Sequence, residues 1–127
     1  GSPACRVLVV DDEPEVAAMV SDVLGLDGHR VHCVGSGNQA LEYLRTQSVD
    51  LILSDIRMPD LDGPGLYSRL QQAFPALARR TAFITGDALG SAAKGFLQQQ
   101  GLAVLEKPFS PGELRALVER LLAVAVA

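Results

Sequence analysis

Short apolar runs and segments with helical periodicity alternate five times along this chain, and this alternation limits the fold more than any other feature. Each apolar run has the length of a strand, and in the segment after it apolar residues recur every three to four positions. Five strand–helix units with short connections predict an α/β fold, a doubly wound, five-stranded parallel sheet with helices on both faces. The predicted strands are Arg6–Val10, Arg30–Val34, Asp50–Ser54, Thr81–Thr85 and Ala103–Glu106.

The helices and the edge of the sheet carry signals of different strength. The first helix begins near Pro14, which suits a first turn. Two later helices begin with capping boxes, at Ser36–Gln39 and Ser110–Glu113. The fourth helix, at about Leu89–Gln100, is expected to be weak, because Gly95 costs about 1 kcal/mol relative to alanine. The second strand alternates polar and apolar residues, so we expect it at an edge of the sheet.

The composition allows one globular domain. The chain has 127 residues, of which 48% are hydrophobic, and this excludes intrinsic disorder. A net charge of −4 without a basic patch argues against a nucleic-acid partner, and no apolar run is long enough to span a membrane. Gly1-Ser2 is typical of the scar left when an expression tag is cleaved. We therefore expect residues 1–4 to be a tail and residues 5–127 to form the domain.

Two cysteines and two histidines are predicted to have structural roles only. Cys5 and Cys33 have neither the spacing of metal ligands nor the density of a disulfide scaffold. We expect both as small apolar residues on neighbouring strands, and His29 and His32 at the surface. Reduced cysteines favour a cytoplasmic protein.

Five polar side chains stand at or just beyond the carboxyl ends of four predicted strands: Asp11, Asp12, Asp55, Thr85 and Lys107. Ligands of open parallel sheets bind outside the carboxyl ends of the strands, so we expect these side chains to meet. Clustered carboxylates suit a hard divalent cation such as Mg²⁺, while a hydroxyl and an ammonium suit the oxygens of a phosphoryl group. We interpret the five side chains as one acidic, metal-binding, phosphate-accepting pocket with Asp55 as its nucleophile.

With Asp11-Asp12, Asp55, Thr85 and Lys107-Pro108-Phe109 at these positions, the chain resembles the receiver domain of two-component response regulators over almost its whole length. The resemblance implies a flavodoxin-like (βα)5 fold with strand order 2-1-3-4-5. It implies a phosphoacceptor that is not an enzyme beyond self-phosphotransfer and autodephosphorylation. The bond between Lys107 and Pro108 is typically cis in the family.

The resemblance also implies a role for each matching residue. The residue that matches Asp55 takes a phosphoryl group from the phosphohistidine of a histidine kinase or of a histidine phosphotransfer domain. The hydroxyl that matches Thr85 and the ammonium that matches Lys107 contact the phosphoryl oxygens. The implied Mg²⁺ ligands are Asp11, Asp12, Asp55 and the backbone carbonyl of Arg57.

The origin of the domain is predicted from its resemblance alone. Residues 83–89 and 104–109 look most like the receivers at the C-terminus of hybrid sensor histidine kinases, and no DNA-binding region follows the last predicted helix. We therefore expect a receiver excised from a hybrid kinase, whose parent protein would be a protein-histidine kinase. A stand-alone receiver or one from a transcription factor is the alternative. We expect this domain to contact neither nucleic acid nor a membrane, while a weak homodimer stays open.

One position departs from the family pattern. Many receivers carry an aromatic residue three positions before the lysine, where this chain has Val104. A valine cannot make the ring movement that couples phosphorylation to the surface in those receivers. We expect phosphorylation to change the surface of the fourth helix and fifth strand through residues around 86–101, where the helix propensity is low.

Other readings fit the pattern less well. Phosphatases of the haloacid dehalogenase type carry their nucleophile on the first strand in an Asp-x-Asp pattern, which Asp11-Asp12-Glu13 lacks. A flavin- or nucleotide-binding module would need a glycine-rich first loop, and a receiver used only for docking would lack some of the five side chains. Individually, Asp12 is also a candidate N-cap of the first helix, Glu13 a solvated acid of its first turn and Thr85 an ordinary strand-end hydroxyl.

Overall fold

The sheet has the predicted strand order. The computed structural model describes residues 4–58, 60–86 and 91–124, and the side chains of residues 91–94 lie outside this description. The strands are β1 (Arg6–Val10), β2 (Arg30–Val34), β3 (Leu51–Asp55), β4 (Thr81–Thr85) and β5 (Ala103–Glu106). They are parallel and pair in the order β2-β1-β3-β4-β5, which confirms the flavodoxin-like prediction. The third strand lies one residue later than predicted, because Asp55 pairs with Ile84 of β4.

Six helices lie within the described part of the chain, one more than predicted. They are α1 (Pro14–Leu26), α2 (Gly37–Leu44), α3 (Gly63–Ala73), α4 (Pro75–Ala78), α5 (Ser91–Gln100) and α6 (Pro111–Leu122). The additional helix, α4, is a single turn that begins at Pro75, directly after α3 ends. α5 is the predicted fourth helix, whose expected start at Leu89 lies outside the described residues. No helix in these ranges has the length and apolar character that crossing a membrane requires.

Each face of the sheet has its own hydrophobic core. In β1, Val7 and Val9 point into the core covered by α1 and α6, while Leu8 and Val10 point into the core covered by α2, α3 and α5. β3 and β4 are buried at every position, whereas every residue of β2 is exposed or half-buried, as expected for an edge strand. With both faces covered, ligands have access to the sheet at the carboxyl ends of its strands.

One of the two predicted capping boxes is confirmed. Ser110 Oγ accepts a hydrogen bond from the Glu113 N–H, and Glu113 Oε1 accepts one from the Ser110 N–H. Ser36 Oγ likewise accepts from the Gln39 N–H at 3.1 Å. In a capping box the Gln39 side chain would in return accept from the Ser36 N–H. Here Gln39 Oε1 instead accepts from the N–H of Gly35, one residue before the N-cap, at 2.8 Å. The side chain of Gln39 therefore fixes the loop that leads from β2 into α2.

The cysteine and histidine predictions are wrong in part. Cys5 is buried, and its N–H donates to His29 Nδ1 at 3.0 Å, so His29 is half-buried rather than a surface residue. Burial, helped by the charge of Asp50, raises the pKa of Cys5 to about 11. Cys33 is exposed, because β2 is an edge strand that leaves little apolar cover for its side chains. His32 is exposed as predicted and stacks on the Tyr43 ring with a centroid distance of 4.0 Å.

Candidate functional site

The edge formed by the carboxyl ends of the strands gathers the predicted polar residues. Asp11 directly follows β1 and donates its N–H to Val34 O of β2 at 3.0 Å. Asp55 and Thr85 are the last residues of β3 and β4. Lys107 directly follows β5 and donates its N–H to Thr85 O at 2.7 Å. Because the strands are parallel, all of these positions lie at the same edge of the sheet.

Three carboxylates form a compact acidic cluster at this edge. Asp11, Asp12 and Asp55 each offer an oxygen, and these oxygens lie within 4.8 Å of one another. Asp11 and Asp55 are buried and Asp12 is exposed, so the cluster opens to solvent on the Asp12 side.

One oxygen of the cluster tests whether a metal ion fits. Asp11 Oδ2 is buried and accepts no hydrogen bond among the described residues, and its charge is met there only by the ion pair with Lys107 Nζ, 3.2 Å away. Buried carboxylate oxygens normally have such a partner, and hard divalent cations prefer oxygen ligands. The residues present therefore fit a divalent cation.

Lys107 places its ammonium against three carboxylates. Its Nζ lies 3.0 Å from Glu13 Oε1, 3.2 Å from Asp11 Oδ2 and 3.7 Å from Asp55 Oδ2. The lysine side chain is only 13% exposed. The peptide bond between Lys107 and Pro108 is cis, as the family resemblance implies. The ammonium is thus within reach of the Asp55 carboxylate and of a group bound to it.

The environment shifts the pKa values of Asp55 and Lys107. Burial is the largest cause that raises the pKa of Asp55 above its usual value; the two neighbouring aspartates raise it further, while the Arg57 N–H and Lys107 oppose the shift. Burial alone would lower the pKa of Lys107, but Glu13 and the aspartates together outweigh burial and raise that pKa. Lys107 therefore carries its positive charge at neutral pH.

Backbone hydrogen bonds hold the chain that leaves Asp55. The Arg57 N–H donates to Asp55 Oδ1 at 3.2 Å, which fixes one carboxylate oxygen. The Ile56 carbonyl accepts from the Gly63 N–H at 2.9 Å, where α3 begins. A Cβ at Gly63 would lie 2.8 Å from the Phe83 ring and 3.0 Å from Ile56. The missing side chain therefore allows α3 to begin this close to the acidic cluster.

Thr85 and Arg57 complete the set of predicted residues. Thr85 is buried at the end of β4, one position beyond Ile84, the register partner of Asp55. Arg57 is exposed and reaches the site through its backbone. The structure thus brings the three aspartates and Lys107 together, and it places Thr85 at the end of the strand beside Asp55.

Glu13 belongs to the site, although the sequence indicated only a solvated acid. Glu13, and not Asp12, is the N-cap residue of α1, so the alternative role considered for Asp12 is wrong. The Glu13 side chain is 58% exposed, yet its carboxylate is the one nearest to Lys107. In the sequence, only its position next to Asp11-Asp12 could have indicated that Glu13 belongs to the site. The ion pair with Lys107 was not visible there, because the two residues are 94 positions apart in the chain.

A groove of about 480 Å³ opens beside Lys107, between α1 and the loop after β5. Two acids, Glu13 and Glu15, line the groove on the side of α1, and the lining mixes polar and apolar side chains. The other lining residues are Val16, Met19, Gly86, Lys107, Pro108 and Phe109. The Lys107 side chain, which is 13% exposed, thus lines a groove that is open to solvent.

Val104 occupies the position where many receivers have an aromatic residue. It is 37% exposed on β5 and pairs with Phe83 of β4. Phe83 in turn packs edge-on against Tyr67 of α3 and Phe96 of α5, with ring centroids 6.4 and 5.9 Å apart. α5 is therefore attached to the sheet by an aromatic contact at the β4 strand that ends in Thr85.

Comparison with known families gives a match over most of the chain. The model of the response regulator receiver domain matches residues 7–119. The chain belongs to this family. It is accordingly a receiver domain of two-component signalling, which is a phosphoacceptor rather than an enzyme in the ordinary sense. This confirms the family predicted from the motifs, over the phosphatase and nucleotide-binding alternatives.

Similar proteins include both transcriptional regulators and a sensor kinase. The DNA-binding transcriptional regulator NtrC of Klebsiella pneumoniae is 35% identical over 88% of the present chain. The sensor kinase CckA of Brucella abortus is 32% identical over 95% of the present chain. The present chain spans only 24% of that NtrC and 13% of that CckA.

A solved receiver domain has the same fold. The receiver domain of the sensor histidine kinase PA1611 from Pseudomonas aeruginosa, with magnesium ion coordinated in its active site cleft, is 28% identical. It superposes with a TM-score of 0.78, and the match covers 96% of this chain and 100% of the other.

Proposed function

We propose that this domain, residues 5–127, accepts a phosphoryl group on Asp55 from the phosphohistidine of a histidine kinase or a histidine phosphotransfer domain. The observation that carries the proposal is the buried Asp55 carboxylate in an acidic cluster, with the Lys107 ammonium 3.7 Å from its Oδ2 atom. Residues 1–3 of the tail expected from the sequence lie outside the described residues.

The proposed metal is Mg²⁺. Asp11, Asp12 and Asp55, with the Arg57 carbonyl, would hold it, and the buried Asp11 Oδ2 without a hydrogen-bond partner supports this assignment. The magnesium site described for the PA1611 receiver supports it further. When bound, the cation supplies positive charge that neutralises phosphoryl oxygens.

The protein groups divide the remaining work between them. The Arg57 N–H holds Asp55 Oδ1, so we assign Oδ2, the oxygen that faces Lys107, as the attacking atom. Its lone pair forms the O–P bond while the N–P bond of the phosphohistidine breaks and the imidazole leaves with the bonding electrons. Lys107 and the Thr85 hydroxyl would then contact the phosphoryl oxygens, where negative charge is concentrated. Attack of water later returns the carboxylate and releases inorganic phosphate.

The proposed output is a change in the surface formed by α5 and β5. α5 is fixed to the core by Leu97 and by the contact of Phe96 with Phe83. Phe83 lies two positions before Thr85 on β4. A displacement of Thr85 towards a phosphoryl group would therefore change the packing of Phe83 against Phe96. Val104 does not supply the usual aromatic ring, and the Phe83–Phe96 contact would take its place.

The proposed context is a hybrid sensor histidine kinase, acting in the cytoplasm without contact of this domain to nucleic acid or membrane. The similarity to the sensor kinase CckA supports it. The similarity to NtrC supports the second candidate, a receiver of a transcriptional regulator. Phosphotransfer assays would compare two kinds of purified donor: histidine phosphotransfer domains, and histidine kinases that act on NtrC-type regulators. The donor that transfers its phosphoryl group to this domain faster would indicate the context.

Intact-mass spectrometry tests the central proposal. The wild-type chain, incubated with acetyl phosphate and Mg²⁺, should gain the mass of one phosphoryl group, and Asp55→Asn should gain none. Asp22→Asn is the charge-matched control, because Asp22 is exposed on α1 away from the cluster. The modified wild type should lose the group in neutral hydroxylamine, as an acyl phosphate does. A phosphorylated Asp55→Asn variant, or a wild type that stays unmodified, would show that the proposed acceptor is wrong.

A further inference from the structure

The carboxylate nearest to the Lys107 ammonium belongs to neither the acidic cluster nor the proposed acceptor. Glu13 Oε1 lies 3.0 Å from Nζ, against 3.2 Å for Asp11 Oδ2 and 3.7 Å for Asp55 Oδ2. The Glu13 side chain is 58% exposed, whereas the side chains of Asp11 and Asp55 are 0% and 10% exposed. The ammonium therefore lies between the solvated carboxylate of Glu13 and the buried carboxylates of Asp11 and Asp55.

The local backbone directs the Glu13 side chain to this position. Glu13 is the N-cap residue of α1, but its side chain makes no capping hydrogen bond. The Glu13 N–H donates to Asp11 Oδ1 at 2.8 Å, which fixes its backbone beside the cluster. The side chain is therefore available to reach the groove where Lys107 lies.

Lys107 and a divalent cation compete for the same carboxylates. An ammonium held between Asp11 and Asp55 would offset the negative charge that attracts a cation. An ammonium paired with Glu13 is partly compensated by a carboxylate outside the cluster, so more of the cluster's charge remains for the cation.

We infer that Glu13 is a positioning residue: it holds Lys107 at the outer side of the pocket and so preserves the affinity of the three aspartates for a divalent cation. This inference rests on the proposed function, because it takes the aspartates as the cation ligands. One partner of the pair is solvated, and ion pairs of this kind change an equilibrium by about two- to five-fold.

The test is a double-mutant cycle on Mg²⁺ affinity, measured by NMR titration of the backbone amides without a phosphodonor. Glu13→Gln should bind Mg²⁺ about two- to five-fold more weakly than the control Glu15→Gln. Glu15 lines the same groove and has no ion pair or hydrogen-bond partner in the described part of the chain, so this control removes an equal charge without moving Lys107.

The lysine background separates a positioning role from a simple loss of charge. Lys107→Gln alone should raise Mg²⁺ affinity, because a competing charge is removed. In that background, Glu13→Gln should have no larger effect than Glu15→Gln. The amide spectra also report whether each variant is folded, and Glu13→Asp provides a second variant that retains the charge but shortens its reach.

Two outcomes would overturn the inference: equal effects of Glu13→Gln and Glu15→Gln in the wild-type background, or a Glu13→Gln effect that persists unchanged without Lys107. Either result would leave the proposed phosphoryl acceptor intact, since the wild type would still bind Mg²⁺ and react with acetyl phosphate. A wild type that binds no Mg²⁺ would instead overturn both the proposed metal site and the role of Glu13.

Discussion

Replacing Asp55 by asparagine should stabilise the domain when no divalent cation is bound. The nearest oxygens of the three aspartates lie within 4.8 Å of one another, and Lys107 Nζ lies 3.7 Å from Asp55. With an effective dielectric constant between about 20 and 80, each repulsion amounts to roughly 1–3 kcal/mol and the attraction to roughly 1–4 kcal/mol. Two repulsions and the burial of the charge outweigh the attraction to Lys107 and the hydrogen bond from the Arg57 N–H, which the asparagine Oδ1 can still accept, so we expect a net gain of roughly 1–2 kcal/mol for the neutral side chain.

The gain should depend on pH with a defined sign. The pKa of Asp55 is raised mainly by burial, so the folded state holds its proton more tightly than the unfolded state does. The charge penalty is therefore absent below the usual aspartate pKa of about 3.9 and fully present above the raised value. The advantage of Asp55→Asn should be full near neutral pH and should shrink as the pH falls towards about 4.

Thermal unfolding in the presence of a chelator measures this difference. For a domain of this size, 1 kcal/mol corresponds to about 3–6 °C in Tm, so Asp55→Asn should melt several degrees above both the wild type and the Asp22→Asn control. Mg²⁺ at about 100 times its Kd would add about 2.7 kcal/mol to the free energy of unfolding of the wild type and less to that of the variant. The difference in Tm between the two proteins should therefore become smaller or change sign. A variant that melts at or below the wild-type temperature in chelator, or an advantage that persists undiminished near pH 4, would refute the reasoning.

Two further perturbations test the packing around the site and the reactivity of the thiols. Gly63→Ala should lower the free energy of unfolding by about 1–3 kcal/mol, because its Cβ would overlap the Phe83 ring, while Gly25→Ala, whose Cβ meets nothing within 4 Å, should raise it by up to about 1 kcal/mol. Urea denaturation measures both, and equal effects would contradict the packing argument. Iodoacetamide near pH 8 should modify Cys33 well before Cys5, since Cys5 is buried with a pKa of about 11; peptide mass spectrometry detects the order, and faster labelling of Cys5 would contradict it.

The architecture was predictable because the sheet is covered on both faces. The central strands are then continuous apolar runs in the sequence, whereas apolar residues in the helices recur with a period near 3.6. The two kinds of element can therefore be distinguished in the sequence. The single turn α4 was missed because four residues are too few to show a helical period. The bounds of β3 were off by one residue, because Asp55 is polar in sequence but pairs as a strand residue with Ile84.

The position of the acidic cluster was predictable for a related reason. Parallel strands in register bring their carboxyl ends to one edge, so sequence positions directly after apolar runs become neighbours in space. The pairing of Glu13 with Lys107 was not predictable in this way. It depends on the reach of two long side chains from loops that are 94 positions apart, and no periodicity encodes that reach. Exposure of Cys33 was missed because its environment was inferred from the usual burial of cysteine, although the second strand was itself expected at an edge, where side chains have little cover.

The charge balance of the pocket favours a lysine that can change partners. With Glu13 counted, the four carboxylates and Lys107 carry a net charge of −3, of which one divalent cation neutralises two charges. In the proposed reaction, a phosphoryl group with a charge of about −2 replaces the single charge of Asp55, so the attraction of Lys107 towards Asp55 increases. Breaking the ion pair between Lys107 and Glu13 then costs little free energy, because water solvates the exposed Glu13 carboxylate. Breaking the ion pair with Asp11 would cost more, because it would leave a buried carboxylate without an opposite charge. Lys107 can therefore move from Glu13 to the phosphoryl oxygens while it remains paired with Asp11.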